Sequence, residues 1–210
     1  MTSSPGLIAF DLDGTLIDSL VGIHTSLAAA CALLDLPVPT AEQLRHHIGP
    51  PLRQYLPELL QLSPSSAEAV IDQLLPEFRR HHDQHGWRHY RLYDGVPELL
   101  TQLSASGWSL HVVTHKPLHL AEQLLLQERL FVFFQSLHAP GSPDWTNKPT
   151  ALRQLMVAGT SPHWYVGDTT SDSASAVQAG YRFVAAAYGY GECVPGDARI
   201  MAPLELLQVL

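Results

Sequence analysis

The first clear pattern is an apolar run, Leu7 to Phe10, too short for a helix and apolar at every position, as in a parallel strand covered on both faces. It ends in Asp11-Leu12-Asp13-Gly14, where the glycine permits a turn that a residue with a Cβ resists. Beyond it, Leu20, Ile23, Leu27, Ala30 and Leu34 recur at helical spacing, with Asp18 or Ser19 as N-cap and Pro37 and Pro39 as the stop. Thr40-Ala-Glu-Gln comes close to a capping box and opens a second helix. Ile48-Gly-Pro-Pro-Leu52 can only be a turn, and helical patterns follow over 52–62 and 65–85. No strand pattern occurs between Asp18 and Arg91.

From Asp94 onward helices and strands alternate. A helix over Val96 to Ala105 closes at Gly107, and Trp108 to Val113 reads as a strand ending in Thr114-His115-Lys116-Pro117. Pro117 to Arg129 is helical, and Phe131–Phe134 with Leu137–Ala139 brackets a short strand region. Asn147-Lys148-Pro149 precedes a helix expected to reach Ala158. Trp164 to Val166 is a strand running into Gly167-Asp168-Thr-Thr-Ser-Asp172, Ser173 to Ala179 a helix ending at Gly180, and Phe183 to Ala187 the last clear strand. This alternation predicts an α/β fold with a doubly wound parallel sheet. Residues 1–17 and 91–210 are expected to form that core domain, and 18–90 a small all-helical insertion after the first strand.

Composition narrows the function. The chain has 210 residues, 46% hydrophobic and 15% charged, which suits one compact core with a modest insertion. A net charge of −8 with no basic cluster beyond Arg79-Arg80 argues against nucleic acid as a partner. No run approaches the ~20 apolar residues of a membrane span, and Met1 to Pro5 lacks signal-peptide character. Cys31 and Cys193 make neither a disulfide framework nor a metal motif, so a reduced, cytoplasmic setting is expected. Against ten arginines there are only two lysines, Lys116 and Lys148, and both fall in short motifs at element ends.

In an open α/β sheet, ligands sit outside the carboxyl ends of the strands. Three strands end there in polar groups: Asp11 and Asp13, Thr114 and Lys116, and Asp168 and Asp172, with Lys148 opening a nearby helix. Singly, each has a plain reading. Asp-x-Asp-Gly can be a loop, Thr114 a strand-end hydroxyl, Lys116 a surface charge and Asp172 a helix cap. Together, four converging carboxylates call for a hard divalent cation, and Mg²⁺ is the usual one where a phosphate shares the coordination. The ammonium groups then suit a phosphoryl group. His81, His85 and His89 stand at helical i, i+4 spacing, which fits a transition-metal site or, more simply, a solvated helix face.

Asp11-Leu-Asp-Gly-Thr-Leu, Thr114, Lys148 and Gly167-Asp-Thr-Thr-Ser-Asp172 resemble, in order and spacing, the four motifs of the haloacid dehalogenase superfamily. The helical insertion resembles that family's type 1 cap. Tyr93-Asp-Gly-Val-Pro-Glu-Leu-Leu and Val112-Val-Thr-His-Lys-Pro resemble its phosphoglycolate-phosphatase-like members. The resemblance implies a Mg²⁺-dependent phosphatase acting on a small phosphorylated metabolite, with Asp11 as nucleophile and Asp13 as acid and base. It implies metal binding by Asp11, Asp13 (through its backbone carbonyl), Asp168 and Asp172, and phosphoryl contacts from Thr114 and Lys148. Gly14, Thr15, His115, Lys116 and Arg53 complete the implied substrate contacts, Arg53 through a cap loop leaning over the leaving group. His115 stands where many relatives carry Asn.

Asp13 argues against a dehalogenase, since halide needs no proton to leave. The absence of lysine between residues 15 and 115 argues against a Schiff-base phosphonatase. A β-phosphoglucomutase-like phosphotransferase or a pyrophosphatase shares the motifs, and a catalytically silent phosphometabolite-binding protein is the reading from another class. The insertion is expected to hinge where it joins the sheet, near Leu16–Asp18 and Arg91–Asp94.

Overall fold

The computed structural model describes residues 5–156, 162–192 and 194–210. Met1 to Ser4, the expected helix end at Ala158, and Cys193 lie outside the described residues.

The central sheet is built of β1 (Leu7–Phe10), β4 (Ser109–Val113), β5 (Ser136–His138), β6 (His163–Gly167), β7 (Arg182–Ala186) and β8 (Ala198–Ile200). Its strand order is β5-β4-β1-β6-β7-β8, and every pairing is parallel. The apolar run of β1 is explained by its two covered faces. Ile8 and Phe10 pack with Val96 and Leu99 of α5 (Val96–Ala105) and Leu124 of α6 (Leu118–Gln127). Leu7 and Ala9 pack instead with Leu152 of α7 (Lys148–Leu155) and Ala176 of α8 (Thr170–Ala179). A short α9 (Leu206–Val209) closes the α5 side.

Between β1 and β4 the chain leaves the sheet through a two-residue antiparallel ladder. Ile17 of β2 (Ile17–Asp18) pairs Leu92 of β3 (Arg91–Leu92), and Asp18 pairs Arg91. The segment between them forms α1 (Leu20–Leu33), α2 (Ala41–Arg45), α3 (Leu52–Leu59) and α4 (Ala67–Gln84), with its own core of Leu27, Leu44, Leu56, Leu74 and Phe78. Gly22 permits the tight seat of α1 on the 3-10 turn Gly86–Arg88, because a Cβ there would collide with the Gly86 carbonyl.

Four local expectations change. Phe131–Phe133 is a 3-10 turn, not the flank of a strand: none of its residues is buried, only Phe133 packs partly on the core, and β5 begins at Ser136. α8 starts three residues earlier than its apolar pattern suggests, because Thr169 and Asp172 form a capping box there. Ser19 occupies the N-cap of α1 without a side-chain cap bond, its N–H going to the Tyr190 hydroxyl (2.6 Å). β8 gives little apolar signal, since only Ile200 of its three residues is buried.

Candidate active site

β1 lies where the winding of the sheet reverses, with β4 on one side and β6 on the other, so a crevice opens beyond its carboxyl end. Asp11 sits there, 2% exposed, its N–H bonded to the Val166 carbonyl of β6 (2.9 Å). The chain then turns tightly, with the Thr15, Leu16 and Ile17 amides all donating to the Leu12 carbonyl. Gly14 has φ +80°, and a Cβ there would run into the Asp168 carboxylate, so both backbone and space require glycine.

Asp168 follows β6 and is buried; its Oδ2 accepts from the Tyr190 amide (2.8 Å). Asp172, fully buried on the first turn of α8, accepts from the Thr169 hydroxyl (2.6 Å) and amide (3.1 Å) and from the Tyr165 hydroxyl (3.1 Å). Lys148 opens α7, whose N-cap is Asn147. Its ammonium, 1% exposed, lies 2.9 Å from Asp11 Oδ2 and 2.6 Å from Asp172 Oδ1.

One oxygen each of Asp11, Asp168 and Asp172 lie within 4.8 Å of one another, and among the described residues this is the single group of acids, histidines or cysteines that could hold a metal. Asp11 Oδ1 and Asp168 Oδ1 are buried with no hydrogen-bond partner. Burial raises Asp11 to about 6; Lys148 opposes the rise and Asp172 adds to it. Burial, then the charges of Asp172 and Asp11, push Asp168 well above the usual carboxylate range. Asp172 is likewise penalised by burial, yet Lys148 and Thr169 hold it below that range. Buried, unpartnered oxygens on two of these three clustered carboxylates fit a hard divalent cation. Asp172 has its oxygens engaged already, so it suits a supporting position around that cation.

Thr114 follows β4, 1% exposed at the mouth, and its Oγ1 accepts from the Lys116 amide (3.2 Å). Lys116 does not face solvent: it is 6% exposed, with its Nζ 3.0 Å from Asp13 Oδ1. Asp13 is thus paired with Lys116 and is not among the three clustered acids. Burial works against its charge, but the Lys116 ammonium carries it below the ordinary carboxylate value. His115 Nδ1 donates to the Gly49 carbonyl of the insertion (3.1 Å), with its ring edge-on to Trp145 (5.9 Å between centroids). Thr15 is fully buried with an unpartnered hydroxyl, and its carbonyl accepts from Tyr188 (2.8 Å).

A cavity of about 500 Å³ opens between sheet and insertion, bordered by Asp11, Asp13, Thr114, His115 and Lys116. Arg53 borders it too, but its guanidinium is paired with Asp72 (2.6 Å) in an exposed ion pair, so it does not stand as a free cation over the mouth. On α4, His81 approaches the Ser26 hydroxyl (3.3 Å) and the His85 ring (5.2 Å between centroids), outside the possible metal group.

Two groups of residues around the site carry no sequence motif. Tyr190, from the loop after β7, bonds Asp168 through its amide and reaches Asp18 (2.8 Å) and the start of α1 through its hydroxyl. Its signal is the Tyr188-Gly-Tyr-Gly191 run just beyond a strand's carboxyl end, where Gly189 and Gly191 let the backbone lie against Asp168. The second group is the aromatic lining of the cavity, Tyr55, Phe78 and Trp145, whose apolar character reads along the chain only as core.

A family model described as haloacid dehalogenase-like hydrolase matches residues 8–186. The phosphoglycolate phosphatase of Aliivibrio fischeri is 32% identical over 199 residues, covering 90% of this chain and 87% of that protein. The tyrosine-protein kinase PtkA of Mycobacterium tuberculosis is 30% identical over 192 residues, 90% of this chain; the chain spans only 64% of that relative's length. Among solved structures, a haloacid dehalogenase-like family hydrolase from Streptococcus pneumoniae superposes with a TM-score of 0.85 at 28% identity, covering 100% of this chain and 99% of that one.

Proposed function

Since the chain belongs to the haloacid dehalogenase-like hydrolase family, we propose that it is a Mg²⁺-dependent phosphatase that cleaves a phosphomonoester through an aspartyl-phosphate on Asp11. The observation that carries this reading is the pairing of buried Asp11 with Lys148 beside two unpartnered carboxylate oxygens, with a second acid, Asp13, held separately by Lys116. A phosphatase-named relative of nearly the same length supports it.

Asp11 and Asp168, with Asp172 behind them, would hold Mg²⁺, which supplies positive charge against the phosphoryl oxygens. Asp11 attacks phosphorus; the bond from phosphorus to the leaving oxygen breaks as the Asp11–phosphorus bond forms. Lys148 keeps Asp11 anionic against the cost of burial and offsets charge in the transition state. Thr114 would donate to a phosphoryl oxygen.

Asp13 hands a proton to the leaving alkoxide, then takes one from the water that opens the aspartyl-phosphate. Beside Lys116 it rests in the base form that the second step requires. The incoming phosphoryl dianion raises its proton affinity for the first step, because added negative charge disfavours a second anion. Helices α1–α4 act as a cap that swings on β2 and β3, closing over the first step and opening for alcohol release. The expected partner is a small phosphorylated metabolite.

The test is single-turnover reaction of a phosphomonoester followed by rapid acid quench. A phosphorylated protein that loses its label in hydroxylamine, and that Asp11→Asn does not form, supports the reading. Release of phosphate with no such intermediate overturns it.

A further inference from the structure

The 500 Å³ cavity has the volume of drug-sized ligand sites, roughly 300–1,000 Å³. That is far more room than a two-carbon phosphate ester occupies. Its walls beyond the charged mouth are mainly apolar, and rings reach it from both parts of the chain. Tyr55 of α3 and Phe78 of α4, the latter stacked on His82 (5.3 Å between centroids, planes 12° apart), come from the insertion. His115 and Trp145, paired edge-on, come from the loops after β4 and β5.

The cations that border the cavity are largely committed. Lys116 is paired with Asp13 and Arg53 with Asp72, which leaves Arg79, exposed at the rim. Burial lowers both His82 and His115 to about 4, so both rings are neutral at physiological pH. A second carboxylate or phosphate on the leaving group would be set among rings and aliphatic side chains, where the one buried cation, Lys116, is already paired with Asp13, a costly placement.

Resting on the phosphatase reading above, we infer that the leaving alcohol carries an aromatic ring, received between the Phe78–His82 stack of the cap and the His115–Trp145 pair of the sheet domain, rather than a second anionic group. Flat rings stack or pack edge to face on such walls and lose little conformational freedom in doing so. The phosphoryl end then lies at Asp11 and the ring fills the space that a small anionic ester leaves to water.

The test compares 2-phenylethyl phosphate with ethyl phosphate and 2-phosphoglycolate. All three have alkyl leaving groups, so the comparison reads recognition rather than the reactivity of an aryl ester. With the full chain in Mg²⁺, kcat/KM for the phenylethyl ester is expected to exceed the other two by at least about tenfold, the scale of one buried ring. Trp145→Ala should shrink the phenylethyl-to-ethyl ratio toward one, and Trp145→Phe, which keeps a ring, should restore most of it. In parallel, calorimetry on Asp11→Asn measures binding of the phenylethyl and ethyl esters without turnover. Hydrolysis with a ratio near one, a preference for 2-phosphoglycolate, or a ratio that Trp145→Ala does not change overturns the ring site and leaves the phosphatase standing. Ring-selective binding without hydrolysis of any ester overturns the phosphatase and leaves the ring site standing. Binding that ignores the ring overturns the inference whatever the turnover.

Discussion

Among the described residues Lys148 is the one cation that faces two buried carboxylates at once, and replacing it with methionine keeps most of the side-chain length while deleting the charge. In the native chain its ammonium sits 2.9 Å from Asp11 and 2.6 Å from Asp172, with all three groups at most 2% exposed. Removing one partner of a buried ion pair costs about 3–5 kcal/mol, because the remaining charge keeps its desolvation penalty. For a domain of this size that corresponds to a fall in Tm of roughly 6–20 °C, measured by calorimetry in EDTA. The pH dependence separates charge from packing. Without Lys148, Asp11 and Asp172 have folded-state pKa values raised above their unfolded ones. Groups raised in this way stabilise below the unfolded pKa and lose that contribution as pH rises through the folded pKa. The deficit of Lys148→Met relative to the native protein should therefore be larger at pH 8 than at pH 5, and saturating Mg²⁺ should recover part of it at pH 8. A Tm in EDTA within a degree or two of native would refute the coupling, and a deficit equal at both pH values would assign the loss to packing.

Three further outcomes are expected. Asp11→Asn should fold and bind substrate while turnover drops by on the order of 10³ or more, and retained activity in protein free of deamidation would rule out the covalent route. Chelation should abolish turnover and Ca²⁺ should not replace Mg²⁺, since its looser, larger coordination misplaces the attacking oxygen; full activity in excess EDTA contradicts this. Burial lowers His82, His111 and His115 to about 4 from 6.5, so between those values the unfolded chain binds protons that the folded one refuses. Stability should thus drop as pH is lowered from 6.5 to 4, by up to about 1.4 kcal/mol per unit per histidine, and level off below that window. Asp11 and Asp168, raised by burial, pull the other way in metal-free protein, so the check is that His111→Gln flattens the urea-unfolding pH slope relative to native.

The parallel sheet was legible because burial on two faces writes itself as unbroken apolar runs. Leu7–Phe10 and the strand ending at Val113 stand out for that reason, whereas β8, with one buried residue, does not. Site residues whose role follows from a strand end, such as Asp11, Thr114 and Asp168, could be placed near one another from the winding rule alone. What stayed hidden depends on contacts between distant segments. The 103-residue separation of Lys116 from Asp13 gives no local signal of their pairing, nor does anything around Arg53 announce Asp72. The aromatic chamber is hidden for a related reason: Phe78 has the spacing of a core residue and is one, packing in the cap while its ring also borders the cavity.

The four-helix segment has a hydrophobic core separate from that of the sheet, entered from outside by Tyr190, and the polypeptide crosses to it on two residue pairs. Selection can therefore rework the two halves at different rates. On the proposed phosphatase reading, drift among residues 20–89 would change which alcohol is accepted while leaving the carboxylates and lysines of the sheet edge untouched. A single reactive centre can in this way be reissued with new tastes, and a graft of one relative's helices onto another's sheet has to match the Ile17–Leu92 and Asp18–Arg91 pairs, the reach of Tyr190, and the bonds from Arg45 to Gly189 and from His115 to Gly49.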